Sequence, residues 1–138
     1  MKFTTKITAL LFTVLLSLSL TACGGFTEED AVTLVQGNLD SVYLNVHSPA
    51  YLELCETTEK ECIASYEESL NEDADSFFAE AEMDKSLVDE ATYARYVNFF
   101  GDINKQSKYE VGEVAKSDDT FLVSVTVYPV DLSMLASN

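Results

Sequence analysis

Basic residues are scarce in this chain. Its 138 residues include 8 Lys and Arg against 24 Asp and Glu, a formal charge of −16 at pH 7. A protein that binds nucleic acid needs a basic patch to displace counterions from the phosphates. The composition therefore argues against nucleic acid as a partner. The acid excess is typical of a domain that is kept soluble by mutual repulsion.

The sequence also lacks the short motifs of common enzyme classes. It has no P-loop, GxSxG elbow, HExxH helix, CxxC pair or glycine-rich nucleotide loop. His47 is the single histidine, and neither a nucleophile in a recognisable frame nor a second metal ligand accompanies it. We therefore assign no catalytic residue, and the sequence favours a non-enzymatic domain.

Residues 1–22 have the parts of a bacterial signal peptide. Lys2 and Lys6 form a basic head, and residues 7–20 are apolar apart from Thr and Ser. This run is shorter than the roughly 20 residues that span a bilayer. The stretch 20–23, Leu-Thr-Ala-Cys, resembles the lipobox of bacterial lipoproteins, in which the cysteine takes a diacylglycerol and a peptidase cuts just before it. The resemblance implies lipidation of Cys23 and a place on the extracytoplasmic face of the cell membrane.

An ordinary secretory signal with a chance cysteine is the alternative. Cleavage before Cys23 leaves 116 residues, the size of one domain. Because residues 1–22 hold two Lys and no acid, the mature chain has 6 basic and 24 acidic residues, a formal charge of −18. We expect residues 23–26 to be the lipid-anchored cysteine with its tether, and residues 27–138 to form a single small domain.

Helical spacing governs the first half of that domain. Thr27 can cap a first helix, which we expect to end near His47. Ser48-Pro49 predicts the start of a short second helix. The predicted apolar stripe of the first helix is Val32, Val35, Leu39, Val42 and Val46.

Two further helices are predicted. Thr58 and Glu61 form a capping box at the start of the third, which continues to about Met83. Its predicted apolar side is Ile63, Tyr66, Leu70, Phe77 and Ala81. Ser86 or Asp89 can cap a fourth helix, whose apolar residues are Tyr93, Tyr96, Val97, Phe100 and Ile103.

The hydrophobic period then changes to two. Apolar residues alternate over 121–127, a turn cluster precedes them at 117–120, and a second alternating run begins at Tyr109. An isolated hairpin is marginally stable, so this one must lie on the helices with Phe121, Val123, Val125 and Val127 inward. The predicted fold is α+β, about four helices followed by a C-terminal β-hairpin. Alternatively, strands that would finish the sheet are missing and both edges are open.

This order of elements resembles small uncharacterised lipoproteins of Gram-positive gut bacteria. The resemblance covers a short helix with Tyr-Leu-Glu-Leu at 51–54 and a strand that ends Val-Thr-Val-Tyr-Pro at 125–129; it carries no catalytic residue. The order is faintly similar to that of cystatin-like and nuclear-transport-factor-like domains, whose sheets have more strands. That similarity implies a ligand-pocket or small-enzyme alternative, with polar groups from Tyr109, Glu110, Glu113 and Tyr128.

Cys55 and Cys62 are the thiols of the mature chain besides Cys23. In one continuous helix they would lie about 10.5 Å apart, beyond the reach of a disulfide. A turn at residues 56–58 would bring them together, and in an exported protein a bridge would persist. We favour that disulfide over two buried free thiols.

A calcium loop is matched imperfectly by Asn71, Asp73, Asp75 and Glu82. They occupy positions 1, 3, 5 and 12, but Ser76 stands where the loop needs glycine. The alternative is a solvated acidic helix face, and we expect no other cofactor. A calcium-responsive module is the third functional class considered.

The aromatic residues of the fourth helix cover more than one of its sides. We expect most of them to be core, and an exposed excess to be a binding patch. The residues assigned to that patch are Tyr93, Tyr96 and Phe99. The favoured function is a lipid-anchored domain that binds a protein or small-ligand partner or supports a neighbouring envelope complex.

Overall fold

The computed structural model describes residues 25–118 and 120–130, and it confirms the predicted α+β order. The predicted signal peptide, Cys23 and Gly24 lie outside the described residues. A π-helical turn, Asp40–Leu44, follows the first helix, and a 3-10 turn, Lys85–Leu87, precedes the fourth. The main elements are α1 Glu28–Leu39, α2 Pro49–Leu54, α3 Glu59–Glu80, α4 Glu90–Asn104, β1 Lys108–Ser117 and β2 Thr120–Tyr128.

Side-chain caps fix where α1 and α3 begin. Thr27 and Asp30 form a capping box at α1, and the predicted box of Thr58 and Glu61 is present at α3. In each box the threonine hydroxyl accepts from a helix N–H, and the acid accepts from the threonine N–H. These hydrogen bonds hold the pKa of Asp30 and Glu61 below their usual range.

α1 packs across one face of the hairpin and closes a dry core. Ala31 and Val35 of the helix are buried against three strand residues that are each 6% exposed, Phe121, Val123 and Val125. This confirms the predicted inward face of β2. Burying an apolar side chain of this size contributes about 1.5–3 kcal/mol, so these contacts anchor the hairpin.

The two strands form an antiparallel sheet, and among the described residues no third strand joins it. A bulge between Val111 and Val114 sets Gly112 and Glu113 opposite Ser124. A methyl group on Gly112 would lie 2.5 Å from the Ser124 hydroxyl, so a larger residue there would require that hydroxyl to move. Such a bulge increases the twist of its strand.

α3 and α4 pack antiparallel and are called the helix pair below. Asp89, one of the two predicted caps, begins α4. The buried residues of α3 recur every four positions: Cys62, Tyr66, Leu70, Ala74 and Phe78. The predicted apolar side of α3 is confirmed at Tyr66 and Leu70 but was wrong at Phe77 and Ala81. Residues four apart form a ridge inclined to the helix axis, and α4 packs along that ridge.

The π-helical turn interrupts the apolar stripe predicted for the first helix and changes which residues face the core after α1 ends. The sequence predicts Val42 and Val46 on the core side, but both are exposed and Ser41 is buried instead. A π-type turn holds one more residue than an α-helical turn. The positions that face the protein beyond Asp40 are thus shifted, so that Ser41 is buried and Tyr43 contacts Tyr109 of the hairpin. Asn45 ends the turn with a φ of 54°.

α2 lies against α1 at one glycine. Ser48 caps α2 and Pro49 is its first residue, as predicted. The buried ring of Tyr51 sits on Gly37, where an added methyl group would overlap the ring and lie 2.5 Å from the Tyr51 Cβ. A tyrosine side chain therefore occupies the space that the glycine leaves.

Candidate binding face on the helix pair

A chain of six aromatic rings runs along the contact between α3 and α4. Neighbouring ring centroids lie 4.8–6.2 Å apart, a separation at which aromatic pairs attract in edge-on or offset geometry. The rings follow one another in the order Tyr93, Phe78, Tyr96, Phe77, Phe100 and Phe99. Each ring is therefore held in place by contact with its neighbouring rings.

Five of the six rings are not fully buried. Phe78 is 1% exposed, but Phe77 is 39% and Phe99 45% exposed, and the others are half-buried. Of the predicted patch, Tyr96 and Phe99 lie together with two residues that the sequence interpretation placed in the core. We call this group the aromatic face: Phe77, Tyr96, Phe99 and Phe100.

Tyr93, the third residue of the predicted patch, is instead tied to α3 by polar contacts. Its hydroxyl donates to Asp75 Oδ1 at 2.8 Å and lies 3.2 Å from the Asn71 carbonyl oxygen. Lys85 pairs with the same carboxylate, and its Nζ lies 4.4 Å from the Tyr93 ring centroid. Hydrogen bonds from Lys85 and Tyr93 lower the pKa of Asp75.

Acidic residues flank the aromatic face. Asp73 and Glu80 lie one helical turn on either side of Phe77, and both are exposed. Arg95 is one turn before Phe99 and Asp102 nearly one turn after it. Over residues 59–104 the chain has 13 acids and three bases. The helix pair as a whole is therefore acidic, with two exposed acids one turn from Phe77 and one exposed arginine one turn from Phe99.

The other side of α4 lines a cleft of about 820 Å³ between the helix pair and the π-helical turn. Lys105 in its wall donates to Asp102 at 3.1 Å. The wall mixes polar and apolar side chains, among them Asn45, Asn71, Asn98, Leu44, Leu70 and Val97. The cleft therefore lacks the cluster of aromatic rings found on the aromatic face.

A second cleft, about 620 Å³, lies between the end of α1 and the hairpin. It brings together Tyr109, Glu110 and Tyr128 of the polar group that the pocket alternative requires. Glu113 instead lies in the strand bulge. The cleft runs along the edge of the closed core of α1 and the hairpin, and does not enter it.

The phenols of this second cleft are held as hydrogen-bond donors. Tyr109 donates to Asp40 Oδ1 at 2.6 Å, and Gln36 Nε2 donates to the same oxygen at 2.8 Å. Burial, together with that carboxylate, raises the pKa of Tyr109 well above its ordinary value. The carboxylate of Glu110 likewise raises the pKa of Tyr128. A phenol that stays protonated cannot serve as a general base at neutral pH.

Cys55 and Cys62 are free thiols in the structure. The predicted turn between α2 and α3 is formed, with Glu56 at a φ of 49°. Burial raises the pKa of the Tyr51 phenol, and Cys55 and Cys62 both add to that rise. Both thiols thus lie near one phenol, and the disulfide stays a prediction.

The calcium loop is not formed as a loop. Asn71, Asp73 and Asp75 lie inside the continuous helix α3, and Glu82 follows its end with a φ of 53°. Within residues 25–118 and 120–130, no group of three or more His, Cys, Asp or Glu side chains is placed to hold a metal. The sequence spacing did not reflect loop geometry, because the four-residue apolar row continues through the segment.

Phe77 and Phe100 are the face residues that the sequence interpretation missed, and Phe77 is the more exposed of the two. The signal that could have identified Phe77 was the unbroken row of apolar residues four apart from Cys62 to Phe78, which leaves Phe77 off the buried side.

No helix in the part of the chain that the structure describes is long and apolar enough to cross a membrane. Comparison of the chain with protein-family models, curated proteins and solved structures finds no match.

Proposed function

We propose that this chain is a lipid-anchored extracytoplasmic domain of the cell membrane that acts by binding, or as an accessory to an envelope complex, and not by catalysis. The observation that carries the proposal is the stretch 20–23, Leu-Thr-Ala-Cys, behind a basic head and a short apolar run. Lipid on Cys23 holds the chain, and residues 24–26 connect it to α1. Stable anchoring of this kind takes more than one acyl chain.

The aromatic face is the surface that we propose meets the partner. Its support is the exposure of Phe77 and Phe99, each of which is also held by contact with a neighbouring ring, Tyr96 and Phe100 respectively. Exposed apolar groups that form a contiguous surface mark interaction sites. Aromatic side chains also supply much of the binding energy at interfaces, because they bury a large area with few rotatable bonds.

The anchor is tested by the intact mass of the protein extracted from membranes. We expect a mass that fits residues 23–138 plus acyl chains, and a Cys23→Ser variant that is neither acylated nor cut before residue 23. An unacylated chain that begins at Met1 would contradict the proposal.

The same sample tests the predicted disulfide. Alkylation of Cys55 and Cys62 before and after reduction separates a bridge from free thiols. Labelling only after reduction would establish the bridge, and equal labelling without reductant would establish two free thiols. Neither result bears on the anchor, so the two tests stay independent.

A further inference from the structure

We infer that the aromatic face binds a basic amphipathic protein segment, one that presents apolar side chains bordered by Lys or Arg. The inference rests on the proposed function, because it names the class of partner for the same face. The residues that carry it are the rings of the face and two exposed acids one turn from Phe77, Asp73 and Glu80.

The rings give the apolar half of the argument. Tyr96 stacks on Phe77 at 5.1 Å, and Phe99 lies edge-on to Phe100 at 5.7 Å. Stacked rings lose little conformational freedom when a partner covers them, so their contact area favours binding. An amphipathic segment that lays apolar side chains along two packed helices matches this arrangement.

The charges select among possible occupants. Asp73 and Glu80 lie one turn from Phe77 and are in no ion pair among the described residues, whereas Arg95 is the one base within a turn of the rings. The free acids beside the rings therefore outnumber the bases. A second copy would bring two acidic surfaces together, and like charges across an interface are repulsive. An anionic lipid surface is opposed for the same reason. A basic segment is attracted, and its association is faster at low ionic strength.

The experiment uses the whole mature chain, residues 23–138, as the Cys23→Ser variant, so its outcome does not depend on lipidation. The probes are two 18-residue amphipathic peptides with the same Leu positions, one with Lys and one with Glu at every polar position. Binding is measured by fluorescence anisotropy at low and high salt. We expect the Lys peptide to bind, more weakly in high salt, and the Glu peptide not to bind.

Three variants locate the binding. We expect the pair Phe77→Ser and Phe99→Ser to weaken binding of the Lys peptide about tenfold or more, as the loss of interface anchors does. Tyr128→Ser removes an aromatic residue of comparable exposure on β2, and we expect less than about a threefold change, since it lies outside the face. The pair Asp73→Asn and Glu80→Gln leaves the rings in place and should weaken binding mainly at low salt. Circular dichroism confirms that each variant is folded.

Two results would overturn the inference while leaving the anchor intact. One is equal binding of the Lys peptide by the wild type and the Phe77 and Phe99 variant, which would show a diffuse charge effect. The other is that the Cys23→Ser chain binds vesicles of zwitterionic phosphatidylcholine and not the Lys peptide, and that the Phe77 and Phe99 variant no longer binds the vesicles. That second outcome would assign the face to a lipid surface.

Discussion

The α1–hairpin half and the helix pair are packed in different ways. Around α1, Ala31, three valines and Phe121 close a core in which each of these five residues is at most 6% exposed. In the helix pair the buried row belongs to α3, and Gly101 is the one fully buried residue of α4. The large side chains of α4 are half-buried or exposed. α3 therefore carries both a buried row and part of the aromatic face, whereas α4 contributes mainly partly exposed side chains.

The largest expected effect is a matched pair of phenylalanine truncations. Phe121→Ala opens the closed core, so we expect the free energy of unfolding to fall by about 3–5 kcal/mol. Phe99→Ala removes a ring that is 45% exposed, and we expect a loss below about 1 kcal/mol. Urea unfolding followed by circular dichroism measures both. Equal losses would show that the two halves are packed alike.

Two helical glycines sharpen the comparison. Gly37→Ala forces a methyl group into the Tyr51 ring, and overpacking of this kind costs about 1–3 kcal/mol. At Gly101 the added methyl group lies 3.4 Å from Leu70 Cδ1 and 3.7 Å from the Tyr66 hydroxyl, both ordinary contacts. We expect Gly101→Ala to stabilise by about 0.5–1 kcal/mol, because alanine favours a helix. Thermal melts of both variants show whether each substitution stabilises or destabilises the protein. Stabilisation by Gly37→Ala would refute the close approach of Tyr51.

Tyr109→Phe removes a hydrogen bond between the hairpin and the π-helical turn. We expect a loss of about 1 kcal/mol at neutral pH, since Gln36 still donates to Asp40. The folded pKa of Tyr109 is raised, so its contribution is complete below the unfolded value of about 10 and is lost as pH rises beyond it. Urea unfolding at pH 8 and pH 10.5 should show the wild type approaching the variant. An unchanged gap between the two proteins would exclude this linkage.

The smallest effect concerns Lys85, whose partner Asp75 is half exposed. We expect Lys85→Ala to raise the pKa of Asp75 towards its ordinary value and to leave stability almost unchanged, because exposed ion pairs contribute little. A carboxyl NMR titration follows Asp75 directly. Lys105→Ala, which breaks the exposed pair with Asp102, is the control and should leave Asp75 unaltered. If Asp75 titrates identically in the Lys85→Ala and Lys105→Ala variants, the contact between Lys85 and Asp75 is contradicted.

The sequence predicted the elements well because local signals set their ends. Capping by Thr27, Thr58 and Asp89 and the alternation of β2 each depend on a few neighbouring residues. The π-helical turn at Asp40–Leu44 carries no such signal. A straight helical count therefore placed Val42 and Val46 in the core, although both are exposed.

The candidate face was predicted only in part. Tyr96 and Phe99 lie on it as expected, whereas Tyr93 is held by Asp75 and Lys85. The sequence fits two apolar spacings equally well: a mixed spacing of three and four residues, which includes Phe77, and a strict spacing of four residues, which includes Phe78. The prediction followed the first, so it placed Phe77 on the buried side. Which row is buried depends on the angle at which α4 crosses α3, and a single helix does not encode that angle.

Native-state hydrogen exchange is the most direct test of the division between the two halves. Amides protected by a closed core exchange only through global unfolding, whereas those of a loosely covered helix open at lower free energy. The account predicts that the hydrogen-bonded amides of β2 around Val123 and Val125 exchange more slowly than any others among the described residues. The amides of α4 should exchange clearly faster. Protection of α4 equal to that of β2 would contradict it, because the helix pair would then belong to the same closed core.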